Sequence, residues 1–326
     1  MVLRGIVMVA AVAVAAIVIA GKREEIAGAT SYFEDLNYFW VLVGAGFELA
    51  AVMAFAVMQQ RLLAAGDVSA GLAPVTGITF AGNALQNSLP GGGAWASVYA
   101  FRQFRRLGAD DVLAAWLIIA ISGLSAVGLA ILAGVGLAMA EGDAASADLV
   151  VGILVVLVIA AILVVLARNG LLRRPIAIGL ALSKRLFGRP SGDVETFMAD
   201  TESRLLAVTP SRPEWGVALL LAVANWGLDC VCLGTSFLAV GAPVPWRGLL
   251  LAYGAAQLAA NLPLTPGGLG VVEGSLAIAL VQFGGGQEST VAAVLMYRLM
   301  SFWALVVIGW ITMGTMAWLH RRRRSR

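Results

Sequence analysis

The stretch "ANLPLTPGGLGVVEGSL", residues 259–275, lies in a long apolar part of the chain and carries residues that stop helices. These are two prolines and three closely spaced glycines: Pro263, Pro266, Gly267, Gly268 and Gly270. Backbone inside a membrane is normally helical, because lipid offers its N–H and C=O groups no hydrogen-bond partners. A helix break there must be surrounded by protein or line a wet cavity, so the stretch predicts a cavity. A second stretch, "SLPGGG" at 88–93, repeats the pattern.

Composition places the whole chain in the membrane class. Of 326 residues, 60% are hydrophobic and 13% are charged, which leaves too little polar surface for a soluble globule of this size. We expect an all-α polytopic membrane protein, one integral membrane domain over 1–326, with about six full spans of the ~20 residues that a bilayer requires. The predicted spans are roughly 5–20, 38–60, 112–140, 149–167, 214–240 and 291–319. The segments 74–107 and 247–283 are interrupted by the two breaks.

Basic residues predict the orientation of the chain. They concentrate at Arg61, at 102–106, in the segment 168–213 and in the tail 321–326. Short loops rich in Lys and Arg stay in the cytoplasm, so we expect both termini there, in the plasma (inner) membrane of a prokaryote. The segment 168–213 is predicted to be an amphipathic cytoplasmic linker at the inner surface.

With this orientation, the two interrupted segments enter the membrane from opposite faces. The first leaves from and returns to the cytoplasm, and the second leaves from and returns to the outside. They are predicted to be two opposed re-entrant helical hairpins. Pairs of complete spans are the alternative, because they too would return the chain to the face from which it left. Arms of about 17 residues cover about 25 Å of helix, slightly less than the bilayer core.

The chain also aligns with itself. A shift of 176 residues places Pro90, Gly91, Gly92 and Gly108 on Pro266, Gly267, Gly268 and Gly284. A shift near 181 places Glu48 on Asp229. We interpret this as an inverted repeat, with repeat one at about 38–140 and repeat two at about 214–319, of the kind that builds a substrate site at the membrane midplane. Chance similarity between glycine-rich apolar segments remains the alternative.

Each break is predicted to begin a new helix. Ser88 and Thr265 are expected as capping residues, and Pro266 suits the first helical position. The uncovered N–H groups of such a turn bind phosphate readily, so two N-termini from opposite faces would suit an anionic headgroup. Tight turns that only allow close helix packing are the alternative.

Charged residues also fall deep within the predicted membrane segments: Glu48, Asp229 and Arg298 in full spans, and Glu273 just after the second break. An unpaired charge at such a depth costs about 3 kcal/mol or more, so they should face a cavity or each other. Arg298 is the headgroup candidate, because guanidinium binds phosphate through two hydrogen bonds. Glu273 suits helix capping as well as proton coupling, and a buried Glu273–Arg298 pair is the alternative.

The predicted site can now be stated in full. Its substrate-binding residues are Asn87, Pro90, Gly91, Gly92, Asn261, Pro266, Gly267, Gly268, Gly270, Glu273 and Arg298. Residues predicted to line the path or to couple transport are Glu48, Tyr99, Arg102, Asp229 and Gln257. We expect no metal, cofactor or enzymatic activity, because the single histidine adjoins the basic tail and the two cysteines lie two apart in one span.

Residues 262–303 resemble the transmembrane region of the lysylphosphatidylglycerol synthase/flippase family and its stand-alone relatives. In that family a Pro-Gly-Gly-x-Gly-x-x-Glu hairpin precedes a Tyr-Arg span; here the matching residues are Pro266, Gly267, Gly268, Gly270, Glu273, Tyr297 and Arg298. The first hairpin departs from the family, since Trp95 and Ala96 stand where an acid is expected. We expect no soluble aminoacyl-transferring domain of the kind that bifunctional members carry, so the resemblance implies the flippase half alone.

The leading hypothesis is a lipid flippase that moves an anionic phospholipid or a polyprenyl-phosphate-type headgroup between leaflets. A small-solute permease or channel is the first alternative, and a membrane enzyme acting on lipid headgroups is the second. The expected partners are the lipid and the bilayer, with no nucleic acid.

Overall fold

The computed structural model describes residues 31–33, 35–140, 210–260 and 265–324, and this part of the chain contains helices and no strands. The helices are α1 (Tyr38–Ala64), α2 (Leu72–Ser88), α3 (Gly92–Arg106), α4 (Asp111–Ala140), α5 (Arg212–Ala239), α6 (Trp246–Ala260), α7 (Val271–Gln282), α8 (Gln287–Arg298) and α9 (Leu305–Arg324). The predicted all-α membrane class is confirmed. The predicted spans 5–20 and 149–167, residues 168–209 of the linker and Asn261 lie outside the described residues.

Four predicted spans coincide with long apolar helices. α1, α4 and α5 are three of them, and the fourth is the continuous helix Gln287–Leu319, formed by α8, a π-helical segment (Leu299–Ala304) and most of α9. Each is long and apolar enough to cross a bilayer. α5 starts at Arg212, where Ser211 and Glu214 form a capping box.

The first break follows from proline and glycine chemistry. Leu89 is extended, at φ −112° and ψ 143°, as the residue before Pro90 must be, and this ends α2. Gly91 then takes the left-handed conformation at φ 65°. A Cβ on Gly92 would overlap the carbonyl oxygen of Gln86, so the turn requires glycine. α2 and α3 pack against each other as a helical hairpin.

The second break is longer and uses more glycines. Pro266–Gly268 form a single 3-10 turn, and left-handed backbone recurs at Gly267 (φ 60°), Gly268 (φ 67°) and Gly270 (φ 80°). α6 and α7 lie on either side and pack against each other. Two helical hairpins are therefore present at the predicted positions.

The expected caps are wrong. The N-cap residues of α3 and α7 are Gly91 and Gly270. Ser88 is instead the last residue of α2, and its hydroxyl accepts a hydrogen bond from Trp310 Nε1 at 3.1 Å. The Thr265 hydroxyl donates to the carbonyl oxygen of Leu269 at 2.9 Å, and Pro266 lies in the 3-10 turn rather than in the first turn of α7. The extra residues between the proline and the helix displace the cap.

The two halves of the chain pack reciprocally. α1 lies along α5, α2 of the first hairpin packs on α9, and α6 of the second hairpin packs on α4. Glycine permits both hairpin contacts: a Cβ on Gly309 would overlap the Phe80 carbonyl oxygen, and a Cβ on Gly136 would lie 2.5 Å from the Leu251 nitrogen. Buried apolar residues form one cluster mainly within α1–α4 and another mainly within α5–α8.

Candidate functional site

A cavity of about 990 Å³ lies between the two halves. α1 contributes a single stripe to its wall, Glu48, Val52, Phe55 and Gln59, which fall on one face of a helix. α4 contributes an opposite wall of mostly small and apolar side chains between residues 118 and 137. The cavity is therefore amphipathic, with polar groups on the side of the breaks and apolar surface along α4.

The two breaks meet at this cavity. A Cβ on Gly267 would lie 2.9 Å from the Asn87 carbonyl oxygen and would overlap the Phe302 ring. Asn87, Gly267 and Phe302 all line the cavity. Backbone that leaves α2 from one half and backbone that enters α7 from the other half are thus in direct contact.

The N-terminus of α3 opens into the cavity. Gly91, Gly92 and Gly93 line the wall, and no side chain caps this helix. The first-turn N–H groups carry partial positive charge and suit an anion.

The N-terminus of α7 is closed, which differs from the expected pair of open N-termini. The Gly270 N–H donates to Glu273 Oε2 at 2.7 Å, and neither residue is among those that line the cavity. The carboxylate of Glu273 takes the position that an anionic ligand would need.

Arg298 supplies positive charge at the second break. Its Nε donates to Glu273 Oε1 at 2.7 Å and its Nη2 donates to the Gly267 carbonyl oxygen at 3.1 Å. Its guanidinium also stacks on the Phe302 ring, 4.3 Å from the centroid. The predicted pair is thus formed, with the side chain of Arg298 buried (10% exposed) and that of Glu273 partly buried (22% exposed). A guanidinium has five N–H donors, and the other three have no acceptor among the described residues.

Two carboxyl groups face each other across the contact of α1 and α5. Glu48 and Asp229 lie within hydrogen-bond reach of one another and line the cavity. Asp229 Oδ2 accepts a hydrogen bond from the Tyr253 hydroxyl at 2.6 Å and one from Gln257 Nε2 at 3.4 Å. Gln257 Nε2 also donates to the Tyr297 hydroxyl at 3.2 Å, beside Arg298. A polar network therefore runs from the carboxyl pair towards the second break.

The helix that carries Arg298 changes its winding at the site. Leu299–Ala304 form a π-helical segment directly after Arg298, and its Ser301 and Phe302 line the cavity. Short π-helical segments within α-helices are rare and frequent at functional sites.

Other predicted residues lie elsewhere. Pro90 and Gly268 belong to the turns without lining the cavity, and Pro266 is the first residue of the 3-10 turn. Tyr99 donates from its hydroxyl to Met316 Sδ at 3.9 Å, and Arg102 is an exposed residue of α3; neither lines the cavity. Among the described residues, no group of three His, Cys, Asp or Glu side chains could hold a metal ion.

Several lining residues were not anticipated from the sequence. Asn225 and Trp226 of α5 line the cavity and also tie the halves together, by hydrogen bonds to the Ala51 and Ser125 carbonyl oxygens at 3.0 and 2.8 Å. Tyr253 does not line the cavity but donates to Asp229, and it had a usable signal, since it lies four residues before Gln257 and shares its helix face.

Fold and site together define a polytopic α-helical membrane protein with two helical hairpins around an amphipathic cavity. The chain belongs to the family of the lysylphosphatidylglycerol synthase transmembrane region, whose sequence model matches residues 2–309. The resemblance noted at the second break is therefore confirmed over nearly the whole chain.

Curated relatives match a smaller part of the chain. Two UPF0104 membrane proteins of the prokaryote Methanothermobacter thermautotrophicus (strain Delta H) are similar to this chain. One is 30% identical over 94 residues, which cover 29% of this chain and 28% of the relative. The other is 34% identical over 95 residues, which cover 29% of this chain and 27% of the relative. The chain thus aligns with less than a third of the length of either relative.

Proposed function

We propose that the protein moves a phospholipid or polyprenyl-phosphate headgroup between the two leaflets through the cavity between its halves. The observation that carries this proposal is the contact of the two breaks, Gly267 against Asn87, at a cavity lined by Arg298 and the open N-terminus of α3. A phosphate placed there would meet N–H donors from both halves. Acyl chains would follow the apolar wall of α4.

Helix lengths support re-entrant hairpins. α2, α3, α6 and α7 have 17, 15, 15 and 12 residues. At 1.5 Å per residue they reach about 18–26 Å, short of the ~30 Å hydrocarbon core. We therefore place the tips of both hairpins inside the membrane, the first entering from the cytoplasm and the second from outside, with both termini cytoplasmic in the plasma membrane of a prokaryote.

Backbone conformation supports the inverted repeat. Gly91 and its predicted counterpart Gly267 have φ values of 65° and 60°, and Gly108 and Gly284 have 107° and 92°. The reciprocal packing of α2 on α9 and of α6 on α4 has the form that a pseudo-two-fold axis in the membrane plane would produce. Each half then acts as one unit, and the cavity is the space between two units.

Reconstituted vesicles test the proposal. We would incorporate fluorescent phospholipids and a fluorescent polyprenyl phosphate and add an impermeant quencher outside. We expect the wild-type protein to expose label from both leaflets, and Arg298→Gln to slow this by about 10- to 100-fold, because a charge-assisted hydrogen bond contributes about 1.5–3 kcal/mol. Equal quenching in protein-containing and empty vesicles for every lipid would overturn the proposal.

The same vesicles separate the alternatives. Release of an entrapped small solute without any lipid movement would favour a permease. The facing carboxyl groups of Glu48 and Asp229 are the feature that an acid–base enzyme would use. We propose a transporter rather than an enzyme, and a new lipid species formed from labelled lipid by the purified protein would contradict this.

A further inference from the structure

The carboxyl pair of Glu48 and Asp229 is not needed to bind an anionic headgroup. Glu48 is only 6% exposed, and its Oε2 and the Oδ1 of Asp229 have no hydrogen-bond donor in the described part of the chain. Two buried carboxylates within hydrogen-bond reach of each other do not both stay ionised, because their repulsion is weakly screened there. A pair of this kind holds one proton between its two facing oxygens.

The surrounding donors determine which residue carries that proton. Asp229 receives hydrogen bonds from the Tyr253 hydroxyl and the Gln257 amide, which favour its ionised form. The Oε2 atom of Glu48 receives none from the described residues. These donors favour Glu48 as the residue of the pair that carries the proton, with its carboxyl group facing Asp229.

Few other ionisable groups surround this pair. α2 carries none, and α4 carries none after Asp111. The groups that face the pair from the other packed helices are Cys230 and Cys232 of α5, Tyr253 of α6, and Tyr297 and Arg298 of α8. Arg298 is the cation among them, and Glu273 already binds it.

The location of the pair connects the proton to movement of the halves. Glu48 and Asp229 are counterparts in the proposed repeat, so each half contributes one carboxyl group to the contact between them. Any rocking of one half against the other changes this contact. On the same cavity-facing stripe, Gln59 is 5% exposed and its Oε1 also lacks a donor among the described residues, which extends a polar path towards the predicted cytoplasmic end.

We propose that Glu48 and Asp229 form a proton-binding site, and that a proton taken up there from one side and released to the other crosses with each headgroup. This inference rests on the proposed function. Glu48, Asp229 and Arg298 are the charged side chains that line the cavity in the described part of the chain. Because Glu273 already neutralises Arg298, uptake of one proton by the pair removes one negative charge from the cavity wall, so an anionic headgroup binds more favourably beside the protonated pair.

Infrared spectroscopy of the full-length protein in lipid vesicles tests the proton site without any substrate. We expect a C=O band of a protonated carboxylic acid that shifts in D2O, titrates with pH and disappears in Glu48→Gln. Glu288→Gln, which removes an exposed carboxylate at the start of α8, should keep the band. A spectrum that neither Glu48→Gln nor Asp229→Asn changes would overturn the proton site.

Transport under a pH gradient tests the coupling. With a fluorescent phospholipid as probe, we expect the wild-type rate of lipid movement to depend on the direction of the pH gradient. In Glu48→Gln, the ratio of the rate with the gradient to the rate without it should fall to one. In Glu288→Gln, this ratio should stay at the wild-type value. A wild-type ratio of one would overturn the coupling. The coupling would also be overturned if Glu48→Gln lost movement only of lipids with an amino headgroup, because the pair would then be a substrate site. No lipid movement by the wild type would overturn the proposed function and the coupling, while the infrared band still decides the proton site.

Discussion

Replacing Gly267 with alanine tests the contact between the two breaks. Gly267 has φ 60°, and a Cβ there would overlap the Phe302 ring and lie 2.9 Å from the Asn87 carbonyl oxygen. The left-handed backbone costs a non-glycine residue about 1–2 kcal/mol. Overpacking against the ring and the carbonyl adds about 1–3 kcal/mol. We therefore expect Gly267→Ala to lower the free energy of unfolding by about 2–5 kcal/mol.

Two matched substitutions separate these contributions. Gly91 has φ 65° but open space around its Cβ position, so Gly91→Ala should cost only the backbone contribution of about 1–2 kcal/mol. Gly274 lies within α7 with no atom within 4 Å of its Cβ position, so Gly274→Ala should be neutral or stabilising by up to about 1 kcal/mol.

Thermal unfolding in detergent measures all three variants. Cys230 and Cys232 are buried free thiols, so a fluorogenic thiol reagent reports their exposure on unfolding. The predicted order of melting temperatures is Gly274→Ala highest, then Gly91→Ala, then Gly267→Ala. If Gly267→Ala melts at the same temperature as the wild type, or if Gly274→Ala is destabilised as much as Gly267→Ala, the reasoning from the contact of the breaks is refuted.

Two further predictions concern the same breaks. Gly92→Ala should destabilise the protein, because its Cβ would overlap the Gln86 carbonyl oxygen. Gly93→Ala should not, because no atom lies within 4 Å of its Cβ position. Equal melting temperatures for the two variants would contradict the turn geometry. Arg298→Lys should keep the charge but lose the planar donors that bond Glu273 and a phosphate together, so lipid movement should slow by about tenfold or more; a wild-type rate would remove Arg298 from the headgroup site.

Much of the fold follows from local sequence signals. Runs of apolar residues predict the four long helices, because bilayer thickness sets their length. Pro90 and Pro266 with their following glycines predict the breaks, because proline restricts the preceding residue and only glycine accepts the left-handed turn easily. The positions of both hairpins were therefore readable from the chain.

The site was less predictable, because its contacts join residues far apart in sequence. Glu48 and Asp229 meet only through the packing of α1 on α5, and the alignment of the halves is the one sequence signal that links them. The closure of the α7 N-terminus by Glu273 depends on three residues between Gly267 and Val271 that no capping rule places. The π-helical segment after Arg298 has no signal that we recognise in the sequence.

The separation of the two hairpin tips is the most direct test of the account. Spin labels would be attached at Gly93→Cys, a site with open space, and at Thr265→Cys, with both native cysteines replaced by alanine. Both positions line the same cavity, so pulsed electron resonance in lipid should give a distance well below the ~30 Å hydrocarbon core. A distance of about 30 Å or more, as expected if complete spans carried the tips to opposite surfaces, would contradict two breaks that meet inside the membrane.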